Sequence, residues 1–465
     1  MPLPLTDSVP ALRARDIARV HLPLALNAWL VTLAGPVLNA ALGRSREPQL
    51  QLAAFWLAFT VLLVCQSACL VLQQVTAATL RRHEHFGAVA LGGLLIGAVS
   101  GAIVWCIAAT PLGTFVFQTL IPTPERTAAL ARAVLASLAI VPPLIALRGL
   151  AGGVALTSRR TELLALATVL RVTLLAASGA VVVGLHAGGT AIEVGWALAT
   201  ATAAETLFLA AAALLFREIS PIARAVREPA HPFTLAPVFR LALPLAAASL
   251  VWTSARPVVG AILGRLANPE LAQAGFGVVL PLLLVSCAPL WVFLDVTLVL
   301  PRVRGDVPTL LRFAAGTALA FTLGIAVVTL PPLRGLVLQR AFGLTPALQR
   351  YVLPALGLLV LEPFILTTRA IAQALLVRAG RTGLLLALSP IKLACMLGAG
   401  LLVAWLAPQA NGAVLALALF VGGDLVDALI YSAAILRANS GKGERRELGA
   451  PATDAVAREL HQDAA

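Results

Sequence analysis

Apolar stretches recur along this chain at a nearly even spacing. Twelve runs stand out, at about 21–42, 52–75, 86–110, 128–147, 161–184, 191–216, 238–263, 271–300, 309–330, 347–369, 382–407 and 411–436. Most have the roughly 20 apolar residues that an α-helix needs to cross a bilayer. The pattern therefore predicts an all-α integral membrane protein with twelve transmembrane helices. Pro281 and Pro289 lie inside the eighth run. Each removes a backbone donor and crowds the preceding turn, which predicts a kink or a break there.

The runs are two copies of one pattern. Residues 19–44 and 240–265 align without a gap at an offset of 221, with 13 of 26 positions identical. Arg19 pairs with Arg240, Pro23 with Pro244, Thr32 with Thr253, Pro36 with Pro257, and Gly43-Arg44 with Gly264-Arg265. The same offset carries Arg81 to Arg302, Pro142 to Pro363, Arg148 to Arg369, Arg171 to Lys392 and Gly179 to Gly400. Six helices per copy is an even number, so both copies insert in one orientation, related by a pseudo-twofold axis along the membrane normal. The expected architecture is two six-helix lobes, 1–216 and 238–437, facing each other across a central cavity. A basic, Pro-rich cytoplasmic linker at 217–237 joins them and has the makings of a short surface helix, and a charged tail at 438–465 has the composition of a disordered segment.

Composition fixes the class. Of 465 residues 60% are hydrophobic and only 12% charged, with a mean hydropathy of +0.93. A water-soluble domain cannot hide that much apolar surface. The net charge of +13 thus belongs to loops at a membrane surface, and no nucleic-acid partner is expected. With both termini inside, cytoplasmic segments hold 23 of the Lys and Arg residues and the outer loops 8. This positive-inside bias places both termini in the cytoplasm. The loop with Arg334, Arg340 and Arg350 runs against it. Arg13, Arg15, Asp16 and Arg19 lead directly into a full-length apolar helix, without the pattern of a cleaved signal peptide. Arg outnumbers Lys 32 to 2, a mark of GC-rich coding that points to a bacterial cytoplasmic (inner) membrane.

Several chemistries are not expected. Cys65, Cys69, Cys106, Cys287 and Cys395 lie in apolar runs, where thiols behave as small hydrophobes, so neither disulfides nor a metal site is anticipated. Cys65 and Cys69 are four apart on one helix, but no His or third Cys stands near them. No Gly-rich phosphate loop and no acidic cluster for a divalent metal occurs, and the soluble segments are too short for a catalytic domain. The chain is expected to be a monomer among membrane lipids, not an enzyme and without a cofactor, with any energy drawn from a gradient.

The informative residues are those that a membrane should exclude. An ionisable group near the centre of a span costs about 2.5–3.5 kcal/mol on insertion scales. Arg171, Glu205, Arg256, Asp295, Glu362, Lys392, Asp424 and Asp427 are such groups, and Arg148 and Arg369 fall at the cytoplasmic ends of their runs. Arg171 and Glu205 on neighbouring spans, like Lys392 and Asp424, are placed either to pin helices as ion pairs or to line a route and exchange partners with substrate or proton. The arginines at span ends either snorkel to the interface or narrow a cytoplasmic vestibule. The opening helices carry a stripe on one face: Ala28, Thr32, Gly35, Asn39 in the first copy, and Ser249, Thr253, Arg256, Gly260 in the second. Small residues at that spacing serve helix packing. Packing does not explain Arg256, which has no counterpart in the first copy and no acid within reach on its own helix. In a cavity facing the other lobe it would offer a planar cation to an anion. Asp295 and its offset partner Gln74 put a polar group at one level of both second helices, and Glu362 and Asp427 are candidate protonation sites.

Duplicated six-helix halves with a Pro-bearing opening helix resemble the multidrug/oligosaccharidyl-lipid/polysaccharide exporter (MOP) superfamily, which holds the multidrug and toxic-compound extruders (MATE) and the lipid-linked oligosaccharide flippases. Within it the second half is similar to the progressive ankylosis protein family. The matching residues are Leu243-Pro244-Leu245, Ser254-Ala255-Arg256-Pro257-Val258-Val259 with Arg265, Pro289 through Asp295 to Pro301, Thr367-Thr368-Arg369-Ala370, Thr382, Lys392 and Gly423-Asp424. The family carries Arg at the place of Lys392, Glu at that of Asp424 and Arg at that of Thr297. The resemblance implies export of a multivalent organic or phosphate anion, such as pyrophosphate, citrate or a nucleotide, by alternating access between lobes. Substrate contacts are expected from Arg256, Asn39, Thr32, Thr253, Arg148, Arg369, Arg171 and Lys392. Coupling or gating is expected from Asp295, Gln74, Glu205, Glu362, Asp424 and Asp427. Two alternatives stand beside this: a flippase holding a lipid-linked diphosphate carrier on the same arginines, and a proton-coupled drug extruder with an acidic cavity.

Overall fold

The computed structural model describes residues 12–81, 86–158, 160–185, 190–215, 233–300, 306–378 and 382–440. Most of the linker expected at 217–237 and of the tail expected at 438–465 lies outside the described residues, as do Arg82, Arg159, Arg302 and Arg381. Among the described residues every element is helical.

Twelve spans follow one another: α1 (Ala14–Leu42), α2 (Pro48–Cys65, continued by Ser67–Leu70 and Leu72–Arg81), α3 (Phe86–Ala109), α4 (Glu125–Ser137 with Val141–Thr157), α5 (Thr161–Leu185) and α6 (Ala191–Leu215) in the first repeat. The second has α7 (Ala236–Leu263), α8 (Pro269–Leu298), α9 (Asp306–Thr329), α10 (Pro346–Leu359 with Glu362–Arg378), α11 (Thr382–Leu406) and α12 (Gly412–Ser440). Among the described residues nine are long and apolar enough to cross a membrane alone, α4 and α10 qualify as bent pairs, and α11 contributes the apolar segment Pro390–Leu406. Helix is what the hydropathy demands, because lipid offers backbone groups no partner and only local pairing satisfies them. Prolines mark the starts: Pro48 and Pro269 sit in the first turn, where a missing N–H is harmless.

The repeat is reproduced element by element at the offset of the sequence. The π-helical turns Phe115–Leu120 and Leu336–Ala341 correspond, as do Val141–Thr157 with Glu362–Arg378, and Thr161–Leu185 with Thr382–Leu406. α4 bends by 40° and α10 by 47°. The bends fall where Pro142 and Pro143, or Pro363, open the second half and leave carbonyls of the preceding turn without their usual N–H donor. In α8 a break follows Pro289, at Val292.

One boundary corrects the sequence reading. α4 and α10 continue to Thr157 and Arg378, so Arg148 and Arg369 lie inside spans, not at their ends. In α4 the extension is favoured by Gly149, Gly152 and Gly153, which let it lie close on α2; a Cβ at Gly149 would sit 2.9 Å from Cβ of Leu72.

The opening helices cross between lobes. The N-terminal half of α1 packs on the second repeat: His21 Nε2 meets the Pro289 carbonyl at 3.0 Å, and Trp29 Nε1 donates to the Val285 carbonyl at 2.7 Å. The N-terminal half of α7 joins a core with the first repeat, where Val238 and Ala242 lie among Val71, Val75, Val89 and Leu150. At the face opposite the N-terminus (the distal face) the repeats clamp together. Arg44 Nη1 donates to the Ala341 carbonyl at 2.9 Å, and its Nη2 to the Arg340 carbonyl. Thr127 donates to Glu270 at 3.2 Å. Gly43 and Gly264 close this clamp, each pressed against a backbone carbonyl from the other repeat, Phe342 and Pro122.

Candidate functional site

Charged side chains inside the bundle gather into one centre per repeat. In the first, Glu205 on α6 is fully buried between Arg148 of α4 at 2.8 Å and Arg171 of α5 at 3.3 Å. In the second, Arg369 of α10 and Lys392 of α11 share two acids of α12. Arg369 reaches Asp424 at 2.9 Å and Asp427 at 3.6 Å; Lys392 reaches Asp427 at 3.0 Å and also pairs with Asp424. The cations obey the repeat offset but the acids do not. Glu205 corresponds to Val426, whereas Asp424 and Asp427 correspond to Ala203 and Thr206. Two cations thus face one carboxylate in the first centre and two in the second. These contacts confirm neighbours that the span order suggested, and add Arg148, which joins Glu205 rather than reaching for the interface.

The second centre forms part of the wall of a cavity of about 450 Å³. It is enclosed by α7, α8, α10, α11 and α12, all from the second repeat, rather than by the two repeats facing each other. Its polar lining is Arg256, Glu362, Arg369, Gln373, Lys392, Asp424, Asp427 and Tyr431. Trp252, Trp291, Leu283, Leu366, Met396 and Phe420 are among its apolar walls. The location departs from the expected inter-lobe cavity because the N-terminal half of α7 leaves its own lobe to pack on the first. Only Val251, Trp252, Ala255 and Arg256 of that helix line the space.

Arg256 is 6% exposed, and its guanidinium carbon sits 4.4 Å from the centroid of the Trp252 ring. Among the described residues it has no carboxylate partner. Glu362 is 2% exposed and stands beside Asp424, with Oε2 buried and lacking a hydrogen-bond partner. The cavity therefore offers a bound cation–carboxylate square, one unpaired guanidinium and one incompletely satisfied carboxyl. The first repeat cannot host the same constellation. Its counterpart of Arg256 is Gly35, where an added Cβ would meet Pro281 Cβ at 2.8 Å, and its counterpart of Glu362 is Val141.

The remaining candidates sit elsewhere. Asn39 is fully buried at the junction of the repeats, donating to the Gly277 carbonyl at 3.0 Å and accepting from Trp56 Nε1 at 2.7 Å. Thr32 and Thr253 donate to carbonyls of their own helices at 2.9 and 3.0 Å, so neither hydroxyl points to the cavity lining. Asp295 and Gln74 are both exposed and line no part of this cavity. Sequence reasoning missed Gln373, Tyr431 and the two tryptophans as lining. The spacing of Asp424, Asp427 and Tyr431 already put those three on one face, but membership of a cavity depends on how five helices meet.

No protein-family model matches the chain, and no curated protein matches it. Solved structures do. A multidrug-resistance MATE transporter of the MOP superfamily in an inward-facing conformation aligns with a TM-score of 0.72 at 18% identity, over 92% of this chain and 99% of that one. An outward-facing MATE transporter of the superfamily aligns at 0.54 and 16%, over 94% and 99%. A MOP superfamily transporter from Pyrococcus furiosus, described as having a binding pocket of reversed polarity, aligns at 0.54 and 15%, over 91% and 95%. The chain thus has the twelve-helix fold of these transporters.

Proposed function

We propose that the protein is a secondary transporter that moves an organic anion by alternating access, binding it in the cavity of the second repeat. The observation that carries this reading is Arg256: a cation inside a span, almost fully buried, lining a cavity, and held by an aromatic ring instead of an acid. A charge left so is costly unless something neutralises it, and an incoming anion does so. The other cations, Arg369 and Lys392, bracket the same space.

Alternating access is supported by the fold and by the closed distal clamp, with the higher similarity to an inward-facing than to an outward-facing structure. With the termini cytoplasmic, as the positive-inside bias indicates, that conformation loads from the cytoplasm and the direction is export. The reversed pocket polarity described for the P. furiosus protein supports the idea that one fold serves ligands of different charge.

The multivalent anion implied by the family resemblance, and a lipid-linked diphosphate, would both draw on Arg369 and Lys392. A proton-coupled drug extruder is the second reading, because Glu362, Asp424 and Asp427 line the same cavity.

The test is efflux from cells and counterflow in proteoliposomes, with labelled organic anions and cationic dyes side by side. Arg256→Ala should abolish anion transport while folded yield and thermal unfolding stay unchanged. Dye transport that survives Arg256→Ala, with no anion moved by either protein, would favour the extruder and reject anion transport.

A further inference from the structure

Resting on the reading of the second-repeat cavity as a transport site, we infer that its ligand is an amphipathic organic anion with one negative group and a hydrogen-bond donor on an apolar or aromatic body, not a multivalent anion. Charge comes first. Arg369 and Lys392 each contact both Asp424 and Asp427, so a ligand recruiting either cation must break a buried pair and strand a carboxylate. That leaves Arg256 as the cation free to neutralise a ligand. Stacked on Trp252, its planar fork keeps its edge donors for a single carboxylate or phosphate group.

A second polar group has a place as well. The Glu362 carboxyl belongs to the lining of the cavity, and its Oε2 is buried without a hydrogen-bond partner. A hydroxyl or amine on the ligand that reaches this carboxyl supplies the partner it lacks, and a second negative group would find no free cation, because Arg369 and Lys392 are committed to Asp424 and Asp427. Between these points the walls are apolar, with Trp252, Trp291, Leu283, Leu366, Met396 and Phe420. The volume of about 450 Å³ suits an organic molecule of drug-like size. An inorganic diphosphate would occupy a small part of it and leave the rest as apolar void. The two defining residues are peculiar to this lobe, since the offset places Gly35 and Val141 at their counterparts.

The experiment uses the full-length protein in lipid nanodiscs, with tryptophan fluorescence reporting occupancy beside Trp252 and Trp291. The probes are 4-hydroxyphenylacetate, phenylacetate, citrate and pyrophosphate. 4-Hydroxyphenylacetate should bind, phenylacetate about tenfold more weakly for want of a donor, and citrate and pyrophosphate should displace neither. Arg256→Gln should weaken both monoanions, and Glu362→Leu should erase the difference between them, with unaltered unfolding temperature as the control for folding. Displacement by citrate or pyrophosphate at lower concentration than by the monoanions overturns the inference while leaving anion transport standing. So does a phenylacetate gap that survives Glu362→Leu. Binding of cationic dyes with none of the four anions overturns the transport reading itself.

Discussion

On the alternating-access reading, Gly43 and Gly264 should set the balance between a distal-closed and a distal-open state. Both are helical, with φ of −65° and −63°, so neither needs glycine for its backbone conformation. In open surroundings Gly→Ala at such positions would stabilise a helix by about 0.5–1 kcal/mol. Here the added methyl would lie less than 3.0 Å from the carbonyl oxygen of Phe342 or Pro122, where an ordinary contact is 3.4 Å or more. The repeats must separate at the distal face to relieve it. Overpacking of this kind costs about 1–3 kcal/mol per site, and the penalty falls only on the distal-closed state. Two sites give about 2–6 kcal/mol, against the roughly 5.5 kcal/mol that carries an equilibrium from 1:99 to 99:1. Gly43→Ala with Gly264→Ala should therefore populate a distal-open state strongly. Spin labels at the exposed Arg46 and Gln339, one on each repeat, would report it as a longer component in the pulsed-EPR distance distribution. Gly316→Ala and Gly324→Ala, where a Cβ meets nothing within 4 Å, are the controls and should leave the distribution alone. An unchanged distribution in the double variant, with the protein folded, would refute the clamp.

Two further changes probe the scaffold. Glu205→Gln leaves Arg148 and Arg171 facing each other without their anion. It should lower stability by about 3–5 kcal/mol, toward the lower end because the Arg148 side chain keeps 22% exposure; thermal unfolding in detergent measures this. Arg171→Gln should cost less, since Glu205 keeps Arg148. Asn39→Leu strands the Trp56 N–H and the Gly277 carbonyl, at about 1–3 kcal/mol for each buried group. It should lower the unfolding temperature without altering the affinity for ligand, and a selective loss of affinity would instead return Asn39 to the binding site.

The span count, the repeat and the ionic neighbours were legible in the sequence for a physical reason. Each follows from local periodicity or from a constant offset, and lipid leaves the backbone little choice but helix. Arg256 stood out because a packing stripe cannot account for a guanidinium. The cavity's location was not legible. It depends on α7 crossing to the first lobe through Val238 and Ala242, a tertiary choice that hydropathy does not encode. Thr32, Thr253 and Asn39 illustrate the same limit. Their spacing puts them on one face, but two spend their hydroxyls on their own helix and the third bolts α1 to α8. Nor does offset alone locate the acids, since Glu205 and the Asp424–Asp427 pair reach equivalent cations from non-equivalent positions.

The crossing of α1 and α7 also has a mechanical meaning. Each is a tie rod fixed at one end in one body and at the other end in its neighbour, so the lobes cannot swing as two free rigid bodies. Any rocking has to be absorbed along the rods. α1 has a break for this at Leu33, beside Gly35 and Pro36, whereas α7 runs unbroken through Pro257. Compliance is therefore unequal, and the rod that stays straight is the one that carries Arg256. The stiffer rod would keep the guanidinium in register with its ring while the softer one takes up the stroke.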